Sequence, residues 1–122
     1  MHAGLRGDAT PKIGQPVTFT LALINHNGRA CVLKRTPATV ELKIYSGTDR
    51  IWSTDDCAKL VAPTSQLVKV ASTVTWKVAW DGRRSAAGCG HRSGTPRAGT
   101  YFATFQFSGA KPTQQRMILR SS

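Results

Sequence analysis

The sequence predicts an all-β domain built as an antiparallel sandwich of about seven strands. Two observations carry this. Apolar and polar residues alternate with a period of two through much of the chain, the pattern of half-buried strands. Short clusters of Gly, Pro, Asn, Asp and Ser separate those stretches and supply turns. No stretch carries the apolar period of a long amphipathic helix, and there are no internal repeats or low-complexity segments.

Residues 1–14 read as a short irregular leader, and residues 15–122 as a single domain. Gly14-Gln15-Pro16 enters the first clear strand, in which Val17, Phe19, Leu21 and Leu23 alternate with Thr18, Thr20 and Ala22. Asn25-His26-Asn27-Gly28 then turns the chain. Val40, Leu42 and Ile44 mark the next strand, and Ser46-Gly47-Thr48-Asp49 returns it as a hairpin into Arg50-Ile51-Trp52. Leu67–Val70 is a weaker strand. The clearest is Val74, Trp76, Val78 and Trp80 against Thr75, Lys77 and Ala79. Tyr101, Ala103, Phe105 and Phe107 form another, and Gln115, Met117 and Leu119 the last. Ile118 interrupts the polar face of that last strand, which predicts cover on both sides. The spacing is that of an immunoglobulin-like sandwich. Ala98-Gly99-Thr100-Tyr101 places a tyrosine where such folds bond a phenol back to the preceding turn. The strand period assigns Trp52, Trp76 and Trp80 to the core.

The net charge is +11, from 17 Lys and Arg against 6 Asp and Glu. Such a field attracts anionic lipid, nucleic acid, or wall polymers carrying phosphate or carboxylate. The cations are scattered, with no run longer than Lys34-Arg35 or Arg83-Arg84. That favours a solvated basic surface or an anionic envelope partner over nucleic acid, whose binders cluster cations among aromatics. No phosphate-cradling glycine loop, nucleophile elbow or His-Glu-x-x-His motif is present.

Three cysteines allow several readings. Cys57 and Cys89 with His91 offer metal donors, but structural zinc sites use two closely spaced pairs, and only Cys89-Gly90-His91 is tight. A disulfide between Cys57 and Cys89 fits better, because both follow strand ends in polar loops. It would close a loop of about 32 residues. Cys31 is then a free thiol, or it displaces one of the other two. One of Asp55 and Asp56 reads as a turn cap and the other as an arginine partner, and Asp81 as a turn residue paired with Arg83 or Arg84. The disulfide points to an oxidising compartment.

Several short patterns together resemble the extracytoplasmic domains of actinobacterial, mycobacterial-type cell-envelope proteins. They are Leu21-x-Leu23-x-Asn25, Cys31, Glu41-Leu42-x-Ile44, Ser46-Gly47, Ile51-Trp52-Ser53 and Asp55-Asp56-Cys57, then Trp80-Asp81-Gly82-Arg83, Ser85, Cys89 and Ala98-Gly99-Thr100-Tyr101. The resemblance spans roughly residues 15 to 120. A more distant likeness, through Trp52-Ser53 and Gly99-Thr100-Tyr101, is to the BsuPI-type proteinase inhibitors. The first resemblance implies a non-enzymatic domain of a membrane-anchored protein, held to the membrane by a segment absent from this chain. It would bind a partner protein or an anionic cell-wall polymer, and no cofactor or metal is expected. The second implies an inhibitor whose exposed loop is His91 to Arg97. The expected anionic-ligand surface is Arg83, Arg84, Arg92 and Arg97, on the excursion that the Cys57–Cys89 bridge would tie down.

Overall fold

A computed structural model describes residues 1–121. The protein is all-β, and its strands pair antiparallel in several sheets. In chain order they are β1 (His2–Arg6), β2 (Val17–Ile24), β3 (Cys31–Arg35), β4 (Val40–Ser46), β5 (Asp49–Ser53), β6 (Thr64–Val68), β7 (Thr73–Trp80), β8 (Ser85–Ala86), β9 (Gly90–His91), β10 (Gly99–Phe107) and β11 (Thr113–Leu119). One sheet has the order β1-β2-β7 and another the order β11-β10-β4-β5. The alternating apolar residues of both sheets meet in a single core. Phe19, Leu21 and Leu23 from β2, Trp80 from β7, Leu42 and Ile44 from β4, and Ala103 and Phe105 from β10 are fully buried there. The edge of the Trp76 indole meets the Phe105 ring, 5.7 Å between centroids, and so joins the facing sheets.

The first 14 residues differ from the expected leader. His2–Arg6 pairs in register with β2, Ala3 opposite Leu23 and Leu5 opposite Leu21. The chain then crosses to the other sheet. Gly7 exchanges hydrogen bonds with the Gln115 carboxamide, and the amides of Ile118 and Arg120 donate to the carbonyls of Ala9 and Pro11. Residues 7–13 therefore strap the outer edge of β11, which removes an edge otherwise open to pairing with another chain. The sequence hides this because Gly, Pro and Asp break the strand pattern, while the strap is held by backbone groups and one carboxamide.

Two further corrections concern strands. The weak strand expected at Leu67–Val70 runs over Thr64–Val68 instead, paired with β3, which carries no clear alternation. Their ribbon turns Leu33 and Val68 into the core and leaves Val32 and Leu67 outside. Fully buried Asn25 fixes its base: its Nδ2 donates to the carbonyls of Arg29, Val68 and Lys69, and its Oδ1 accepts from the Asn27 amide. The second correction is Ile118, which is 42% exposed. The strap covers the edge of β11, not its outer face.

Trp80 and Trp52 are buried as the strand period requires. Trp76 is half-buried, with the Arg35 guanidinium over its ring at 4.5 Å. The Tyr101 hydroxyl donates to the Arg97 carbonyl at 2.7 Å, the expected bond back to the preceding turn.

Candidate functional site

The site is built on the two excursions that leave β5 and β7. After β5, Ser53 caps a short 3-10 turn by accepting from the Asp55 amide. Cys57 follows directly and bonds Cys89, with S–S 2.05 Å and Cα–Cα 4.3 Å. That bridge consumes both thiols of the metal reading with His91. Cys31 is free and half-buried at the start of β3.

Asp56 holds the same two excursions together. Its carboxylate meets Arg50 at 3.0 Å and accepts from the Ser85 hydroxyl, while its carbonyl accepts from the Cys89 amide at 2.8 Å. Ser85 also accepts from the Ser53 amide. Asp56 thus meets an arginine, as one of the pair was expected to, but neither aspartate caps the turn: Ser53 does, and the Asp55 carboxyl faces Glu41. Partial loss of hydration at this otherwise exposed residue, and then the Glu41 carboxylate, push the Asp55 carboxyl above its ordinary range.

The arginines of the expected anionic surface divide by role. Arg92 is a structural pin. Its Nε donates to the Ser85 carbonyl, and its terminal nitrogen to the carbonyls of Arg50 and Ile51. Its amide donates to the Arg84 carbonyl. Buried Pro96 and the Tyr101–Arg97 bond anchor the far end of the loop, so residues 93–95 project between fixed points. Arg84 and Arg97, with Arg92, Ser93, Gly94 and Thr95, surround an open depression of about 740 Å³. No acid lines it. Arg84 also pairs with Asp49 at 3.1 Å at the rim. Arg83 lies across the loop, in a smaller depression with Gly14 and Gly82. The structure therefore brings Arg84, Arg92 and Arg97 together and sets Arg83 apart.

Asp81 is a turn residue, accepting from the Arg83 amide. Its side-chain partner is His91, hydrogen-bonded at 2.7 Å, and not Arg83 or Arg84 as expected. The backbone explains the difference: β8 and β9 fold back as a small hairpin, Ser85 opposite His91, and return the histidine to the end of β7. The sequence placed Ser85 only within a resemblance, and Ser93 and Thr95 only within the His91–Arg97 loop, and assigned none of them a role at the cleft. A serine after two arginines and a Ser-Gly-Thr between an arginine and a proline carry no signal until the loop closes.

No family model and no curated protein matches the chain. Solved structures match its fold. A β-glucosidase from Erythrobacter marinus superposes with a TM-score of 0.56 at 12% identity, over 98% of this chain and 15% of its own. The Pseudomonas fluorescens alkylpurine DNA glycosylase AlkC, bound to DNA with an abasic site analog, gives 0.56 at 10% identity, over 98% and 30%. The Bacillus subtilis sporulation control protein Spo0M gives 0.52 at 7% identity, over 99% and 49%. The chain spans less than half the length of each, and at these identities the likeness is one of fold alone. Fold and site together define a class: an all-β domain with a disulfide-tied basic cleft.

Proposed function

We propose that this chain is a non-enzymatic, immunoglobulin-like domain of a membrane-anchored actinobacterial cell-envelope protein, and that it binds an anionic envelope ligand at the Arg84–Arg97 cleft. The carrying observation is Arg84 and Arg97 beside one depression that no acid lines, on a loop that Arg92 and Tyr101 fix at both ends. Guanidinium groups match phosphate and carboxylate geometry, and a pre-ordered loop loses little freedom on binding. The exposed hydroxyl side chains of Ser93 and Thr95 add donors. The disulfide is consistent with an oxidising, extracytoplasmic site. The finer fold assignment rests on two facing antiparallel sheets and the Tyr101 corner. A wall polymer bearing phosphate or carboxylate suits the cleft better than an uncharged partner surface.

The test is retention on purified anionic wall polymer. Arg84→Gln with Arg97→Gln leaves Arg92, and hence the loop, in place. Because hydrogen bonds to charged groups contribute about 1.5–3 kcal/mol each, each lost arginine weakens binding about tenfold or more, and the double variant about a hundredfold or more. Retention equal to wild type, or unchanged from low to high salt, rejects the cleft as the ligand site.

A second reading has one observation in its favour. Residues 93–95 are exposed between pinned Arg92 and buried Pro96, as an inhibitor loop of the BsuPI type would require. Inhibition of a serine or cysteine protease in a panel, lost on cleavage of this loop, would replace the first reading.

A further inference from the structure

The β3–β6 ribbon presents a second surface with a different chemistry. Its inner face belongs to the core through Leu33 and Val68. Its outer face pairs Val32 directly opposite Leu67, and the two are 60% and 63% exposed. Val70, just past β6, is 50% exposed. Water-facing positions of a half-buried ribbon are normally polar, so the facing aliphatic pair Val32 and Leu67 departs from the rule, and Val70 adds an exposed aliphatic in the turn that follows β6.

The charges around them are all positive. Lys34 follows Val32 on the same face, Lys69 follows Leu67, and Arg29 sits at the ribbon base beside Asn25. The six acids of the chain are Asp8, Glu41, Asp49, Asp55, Asp56 and Asp81, so neither strand nor the adjoining turns carry one. Among the described residues, the ion pairs within 4.0 Å involve none of Arg29, Lys34 and Lys69. The ribbon is also stiff at its base. Asn25 binds three of its carbonyls, and the Ala71 amide donates to the Asn25 carbonyl across a turn where Ala71 holds φ 61°.

We propose that this ribbon docks on an anionic lipid bilayer. Val32 and Leu67 enter the interface between headgroups and acyl chains, and Lys34, Lys69 and Arg29 meet the phosphates. Charge complementarity selects this occupant. A second copy of the chain would set the same unpaired cations against each other, at +11 per molecule. A polyanion alone would leave the aliphatics without a partner, whereas an interface takes apolar and cationic groups together. This surface is independent of the arginine cleft. β7 runs from the ribbon base at Thr73 to the cleft at Trp80, a strand length of about 23 Å.

The test is co-sedimentation of the whole chain with vesicles of phosphatidylglycerol and phosphatidylcholine in equal parts, at low salt, against vesicles of phosphatidylcholine alone. Wild type sediments with the anionic vesicles only. Lys34→Gln with Lys69→Gln lowers the partition coefficient about fivefold per lysine. Val32→Ser with Leu67→Ser, which leaves every charge unchanged, lowers it about tenfold. Arg84→Gln with Arg97→Gln retains most of the binding, so failure of the cleft assignment and failure of this one are distinguishable. Near-UV circular dichroism confirms that each variant is folded, as substitution at exposed positions should permit. The proposal is overturned by absence of binding to anionic vesicles, or by wild-type binding in Val32→Ser/Leu67→Ser. Self-association that the same pair of serines abolishes, without vesicle binding, assigns the face to a second copy and equally overturns it.

Discussion

Asp55 and Glu41 are two of only six acids in a strongly cationic chain, yet their carboxyls face each other. Glu41 is held in place by the Ser53 hydroxyl, which donates to it at 2.7 Å, and Lys43 lies 3.9 Å away. The Asp55 carboxyl is raised by partial loss of hydration and by Glu41, with Arg50 opposing. A raised carboxyl means that the folded protein binds this proton more tightly than the unfolded chain does. The cost of the charged form is therefore present at neutral pH. It disappears as pH falls through the raised value towards the unfolded one. Asp55→Asn removes the like charge and keeps a donor for Glu41, while its backbone amide still donates to Ser53. The variant melts above wild type at neutral pH, and the gap closes as the pH reaches the ordinary carboxylate range. Paired melting curves across that range check this. A gap that does not change with pH would assign the effect to something other than titration of Asp55.

At the scale of elements, the Cys57–Cys89 bridge joins the excursion after β5 to the one after β7, across a separation of 32 residues. The chain-entropy model assigns a loop of this size about 3–4 kcal/mol. Replacing both cysteines with serine lowers stability by up to about that amount. The loss is below the full figure if the Asp56, Ser85 and Arg92 hydrogen bonds still tie the two excursions. Limited proteolysis reads the local effect: cleavage rises within residues 86–95 before the core strands are attacked. Unchanged proteolysis there would mean that the polar contacts alone shape the cleft. Legibility in the sequence followed the same division. β2, β4, β7 and β10 are long, alternate cleanly and bury one face, so their period survives in the sequence. The Cys57–Cys89 pairing was readable because both residues end polar loops at strand exits. β3 and the strap were not. Val32 breaks the alternation of β3 by facing out, and the strap uses backbone groups that any sequence possesses. Within the cleft, Arg84 and Arg97 were readable as basic residues. The diversion of Arg92 to three carbonyls depends on where β5 lies, which no local pattern encodes.

Over the whole molecule, among the described residues, Lys43, Arg50 and Arg84 pair with Glu41, Asp56 and Asp49, and Asp81 meets His91. Most of the 17 Lys and Arg are left to repel one another. Folding brings those cations closer than the unfolded chain does, so the compact state carries a self-repulsion that salt relieves. Exposed ion pairs contribute little, about 0–1 kcal/mol each, and their loss in salt is correspondingly small. The Debye length falls from about 30 Å in 0.01 M salt to about 8 Å in 0.15 M, which spans the distance between the ribbon and the cleft. The melting temperature therefore rises between those two concentrations of sodium chloride, a salt with a weak effect on apolar burial. Affinity for an anionic polymer or vesicle falls over the same interval, because the field that destabilises the fold attracts the ligand. The opposite signs make the pair of measurements decisive. Weaker binding in salt cannot then be attributed to unfolding, since the fold is more stable where binding is weaker. A melting temperature that falls as salt is added would show that the ion pairs outweigh the repulsion. The excess positive charge would then be a solvated surface with no bearing on either proposed ligand.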